Sequence, residues 1–73
     1  MYTNIYAITA AIENHSVLII ASTEVNERKE AINNRIYEVR GMLQLARRLT
    51  GHHSLVRFLQ NHIEWLEMKL AGL

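Results

Sequence analysis

Ile32, Ile36, Val39, Leu43 and Ala46 recur every three or four residues, a Thr50-Gly51 break interrupts them, and Val56, Leu59, Ile63, Leu66, Leu70 and Leu73 then resume the same period. Such spacing lays one apolar stripe along each of two amphipathic helices, and either stripe alone would leave a strip of Leu and Ile in water. With so short a connection, the pattern predicts an antiparallel helical hairpin, its helices spanning about 24–49 and 55–71. Ser22 or Thr23, just before Glu24, is placed to cap the first of these helices. Gly51 suits the position beyond its end, Ser54 suits a cap on the next helix, and Gly72 suits that helix's terminus. Glu24 and Arg28 have the spacing of a one-turn ion pair. Gly41, inside a helix at a cost of about 1 kcal/mol relative to Ala, reads as a point of close packing. The polar run from Glu24 to Glu30 overshoots the shorter partner helix and stands in water.

Upstream, Ile5, Ile8, Ile12 and Ile19 fall at helical spacing, with His15 in the remaining stripe position and Ala7, Ala10 and Ala11 alongside; a third helix is predicted over about 5–21. The run Val17-Leu18-Ile19-Ile20 also reads as a short buried strand, although no second strand is available to pair with it. Leu55, Phe58, His62, Trp65 and Met68 or Lys69 widen the apolar side of the last helix beyond what two helices need. Either the first helix or another subunit must cover that surplus. The expected architecture is therefore all-α, a small helical bundle forming a single domain over residues 1–73 and self-associating.

Composition narrows the picture. At 73 residues, apolar burial barely exceeds the entropy lost on ordering, and without Cys neither disulfides nor thiolate zinc can staple the chain, which favours a partner chain as the staple. The opening Met1-Tyr2-Thr3-Asn4 lacks the basic start of a secretory signal, and the uninterrupted apolar run Val17 to Ala21 is too short to span a bilayer, so a cytoplasmic protein without membrane contact is expected. The net charge of +1 forecasts no general affinity for nucleic acid, but its distribution is uneven. No acid lies between Glu38 and Glu64, whereas Arg40, Arg47, Arg48, His52, His53, Arg57 and His62 all do.

Candidate chemistry is sparse. His52 and His53 with His62 and Glu64 form the one cluster resembling metal ligands, but the spacing matches no metal motif, and neither metal nor cofactor is expected. Ser16, Ser22 or Ser54 would need a histidine and a water-excluding cleft to act as a nucleophile, and Glu64 with Glu67 would need desolvation to work as an acid–base pair; thin helices rarely supply either, so no enzymatic activity is expected. His15, if buried, would titrate near neutral pH.

The outline over the last half of the chain is similar to the two-helix regulators of bacterial signalling, notably the sporulation aspartyl-phosphate phosphatases. Their Ser-Gln-Glu-Leu-Asp signature finds its nearest counterpart in Gln60-Asn61-His62-Ile63-Glu64, where only Ile63 and Glu64 are conservative matches. That resemblance implies, as one alternative, a phosphatase-like regulator of a signalling protein. The leading expectation is a noncatalytic interaction protein, a regulator, inhibitor or assembly chaperone. It would self-associate through Ile8, Ile12, Phe58, Trp65 and Leu66 and hold a protein partner with Arg47, Arg48, His52, His53 and Arg57. The other alternative is an anion- or nucleic-acid-binding module using the same basic tip.

Overall fold

The computed structural model describes residues 4–49 and 52–73. Three α-helices follow in order, α1 (Ile5–Ser22), α2 (Arg28–Leu49) and α3 (His53–Ala71), with one 3-10 turn, Val25–Glu27, between the first two. There is no strand among the described residues, and Val17 to Ile20 are helical throughout. α1 starts where it does because Asn4 is extended and its side-chain oxygen accepts the amide of Ala7 at 3.2 Å.

The junction after α1 differs from expectation. Ser22 and Thr23 turn their hydroxyls back to donate to the carbonyls of Leu18 and Ile19, so both finish α1 and neither caps α2. A hydroxyl on a helix reaches the carbonyl four residues back without distorting the chain, and that local bond wins here. Glu24 is then extended and accepts the amide of Glu27, which places it outside α2. Arg28 is therefore not one helical turn from Glu24, and its Nε donates to the Thr23 carbonyl at 3.1 Å. α2 begins at Arg28, four residues later than predicted.

α3 begins at His53, two residues earlier than predicted, with extended His52 at the cap position accepting the amide of Val56 at 3.0 Å. Ser54 consequently sits inside the first turn and is not the cap. Gly51 lies outside the described residues. Gly72 does end α3, its amide donating to the carbonyls of Met68 and Leu70.

Ile32, Ile36, Val39 and Ala46 of α2 meet Leu59, Ile63 and Leu66 of α3 in the core, with Met42, Leu43, Leu55, Val56, Phe58, Trp65 and Leu70 partly buried around them. Leu73 stays exposed. α2 and α3 share by far the most extensive contact, Arg40 reaching Glu67 at 3.5 Å near one end and Leu49 lying with Leu55 in one groove at the other. α1 rests on this pair lightly. Ile12 and Ile20 touch the core, but the one fully buried side chain of α1 is Ser16, and Tyr6, Val17 and Leu18 face outward. The result is an elongated bundle of 41 × 18 × 15 Å.

Two further expectations change. Gly41 has nothing within 4 Å of where a Cβ would stand, so it marks open space and not close packing. By length and composition, the 18 residues of α1, with mean hydropathy 1.3, are enough to cross a membrane, although its longest unbroken apolar run is not. Glu13, Asn14, His15 and Ser16 interrupt the middle of α1.

Leu59→Ala, which empties a fully buried site between α2 and α3, is expected to lower unfolding free energy by about 2 to 5 kcal/mol in urea titration. Gly41→Ala removes backbone freedom without a clash and is expected to raise it by up to about 1 kcal/mol in the same assay.

Candidate functional site

Each helix carries one polar residue on its apolar stripe: Ser16 four positions after Ile12, Arg35 between Ile32 and Ile36, and His62 between Leu59 and Ile63. Helical geometry sends all three inward, and they meet at the junction of the three helices with exposures of 0%, 2% and 5%. Ser16 Oγ lies 2.7 Å from His62 Nε2, and Arg35 Nε donates to the same oxygen at 2.8 Å. The rest of the guanidinium is engaged too, donating to the Ile12 carbonyl at 3.1 Å and to Glu38 Oε2, toward the surface, at 3.0 Å. No buried side-chain nitrogen or oxygen is left without a partner among the described residues.

A guanidinium can only donate, so Ser16 Oγ accepts from Arg35; with His62 neutral and its proton on Nδ1, the hydroxyl donates its own proton to Nε2. The surroundings hold His62 in that form. Burial away from water lowers its pKa below the ordinary 6.5, the Arg35 charge lowers it further, and Glu13 acts weakly the other way. The ring is also clamped within α3, stacked on Phe58 at 5.5 Å and on Trp65 at 5.4 Å between centroids, and Lys69 Nζ stands 5.3 Å from the centre of Trp65.

A serine hydroxyl at 2.7 Å from an imidazole nitrogen has the spacing of a nucleophile and its base. Here the oxygen is fully enclosed and already receives the Arg35 proton donor, so no electrophile reaches it. The arrangement fastens α1 to α2 and α3. Its three hydrogen bonds all fall on one turn of α1, from Ile12 to Ser16.

Other expected sites are placed differently. His15 is exposed, because the inward position belongs to its neighbour Ser16. His52 and His53 are exposed at the start of α3, Glu64 faces outward and His62 inward, so the supposed ligand cluster does not form; no group of three metal-ligating side chains exists among the described residues. Within the stretch Gln60 to Glu64, His62 and Ile63 are core and the rest is exposed. Glu67 is engaged by Arg40, and Ser22 is engaged by its own helix.

Arg47, Arg48, His52, His53 and Arg57 are all exposed, at the end of α2 and the start of α3. Ile8 and Ile12 join Met42, Leu45, Ala46, Leu49, Leu55 and Leu59 around an open apolar groove of about 270 Å³ at that same end. Phe58 and Trp65 flank His62, and Leu66, at 0% exposure, belongs to the core between α2 and α3 and not to an outer surface. No family model, curated protein or solved structure matches this chain.

A lowered folded-state pKa sets the sign of the pH dependence. Below the ordinary histidine value of 6.5 the unfolded chain takes a proton that folded His62 refuses, so the stabilisation from neutral His62 is complete above that pH and is lost as pH falls through the folded value. Thermal unfolding is expected to show Tm falling from pH 7.5 to pH 5, with a shallower fall in His62→Gln.

Proposed function

We propose that this chain is a noncatalytic interaction module that self-associates, its α2–α3 pair forming an antiparallel hairpin and its apolar groove, beside α1, forming the contact. The observation that carries the reading is the groove bounded by Ile8, Ile12, Leu45 and Leu49, in which Leu45 and Leu49 are 55% and 77% exposed. Large apolar side chains gathered on one open face are costly in water and mark a surface that another chain covers. Arg47, Arg48 and Arg57 lie at the same end and none of them is in either of the two ion pairs formed among the described residues, which suits an acidic partner surface at the rim of that contact. A cytoplasmic setting fits this reading.

Light scattering over a wide concentration range tests it. The wild-type mass is expected at a multiple of 8.5 kDa, and Leu45→Glu with Leu49→Glu, both outside the core, is expected to return it to 8.5 kDa. A wild-type chain that stays at 8.5 kDa throughout overturns self-association. If that monomer binds a single-stranded oligonucleotide, with affinity falling steeply as salt rises and lost in Arg47→Glu with Arg48→Glu, the function passes to the basic end.

A further inference from the structure

We propose that Ser16, Arg35 and His62 form an acid-sensitive latch, in which a proton taken up at Nε2 of His62 removes the acceptor for the Ser16 hydroxyl and frees α1 from α2 and α3. The argument starts from the number of acceptors. With Nε2 protonated, both Arg35 Nε and His62 Nε2 donate to Ser16 Oγ, and the hydroxyl proton must find another place. The nearest backbone acceptor for a helical serine is the carbonyl four residues back, here Ile12, whose two lone pairs already take the Ser16 amide of the helix and Arg35. A buried site that was fully paired becomes over-supplied with donors.

The charge balance around the ring points the same way. From α1 it faces Glu13; from α2 it faces Arg35, whose charge Glu38 meets mostly at the surface; on α3 itself it lies between Phe58 and Trp65, with Lys69 beyond. Phe58 and Trp65 favour an imidazolium and travel with His62, since all three are on one helix. The new charge therefore keeps its aromatic clamp when α1 leaves, while water reaches it and the Arg35 guanidinium. The apolar contacts of α1 are partial, Ile12 and Ile20 reaching the core without being enclosed, and Ser16 is its single fully buried side chain. The latch concerns contacts within one chain and does not rest on self-association.

The chain has no cysteine, so paired labels can be placed at will. Spin labels at Leu18→Cys and Met68→Cys, both exposed, report the α1–α3 distance, and labels at Gln44→Cys and Gln60→Cys report the α2–α3 distance, each in labelled chain diluted into excess unlabelled chain. Between pH 7.5 and pH 5 the first pair is expected to gain a longer, broader distance population while the second is unchanged. His62→Gln, which keeps an acceptor that does not titrate, is expected to hold the short distance throughout. In the wild type, NMR titration of the His62 ring is expected to share its midpoint with the release of α1. An α1–α3 distance that stays short at pH 5, equal release in His62→Gln, simultaneous broadening of the α2–α3 pair, or separate midpoints overturns the latch. If His62→Gln does not fold, the comparison of midpoints decides.

Discussion

A guanidinium keeps its charge inside a protein, so once Arg35 is enclosed each of its three nitrogens needs an acceptor beside it. α2 supplies one of these itself, through Glu38. The others come from Ser16 and the Ile12 carbonyl, both on α1. Removing α1 would take away two of the three acceptors that hold the guanidinium, and removing the charge would leave a hydroxyl and an imidazole to share one hydrogen bond. The position of α1 follows from this requirement more than from apolar area, since most of the apolar surface of α1 is not used.

The bundle thus has two grades of order. α2 and α3 are joined by a continuous apolar contact built from Ile32, Ile36, Val39 and Ala46 on one side and Leu59, Ile63 and Leu66 on the other. That contact is non-directional and tolerant. α1 is joined to them by directional bonds on one turn, which resist sliding and rotation but offer little resistance once a partner is lost. Tyr6, Val17 and Leu18 of α1 face water, so its apolar side is only partly buried within the chain.

Periodicity read well wherever apolar residues decided the outcome. The stripes of α2 and α3 named most of the core, and the helical nature of Val17 to Ile20 follows from Ile5, Ile8 and Ile12 upstream. Hydroxyl residues were harder to read. Ser22, Thr23 and Ser54 have equal chemical claims to cap the next helix or bond to their own, and only the backbone path chooses. Arg35 lies between Ile32 and Ile36, so the stripe places it inside although its side chain is charged. The signal was present in all three sequences at once: Ser16, Arg35 and His62 each fill a stripe position with a polar group, and their hydrogen-bonding capacities complement one another. A one-residue phase error was enough to give His15 the place of Ser16, because a helix turns 100° per residue and both flank the same stripe.

The same three residues act as a key for alignment. An apolar helix pressed against an apolar groove has many nearly equal resting places, separated by single turns, and dispersion contacts discriminate poorly among them. Sliding α1 by one turn would bring Ile12 or Ile20 to the place of Ser16, and Arg35 would then face a hydrocarbon branch where it needs an oxygen. One hydroxyl among the isoleucines and alanines therefore favours a single alignment out of several. Such selectivity is what a lone buried polar residue contributes to coiled-coil pairing.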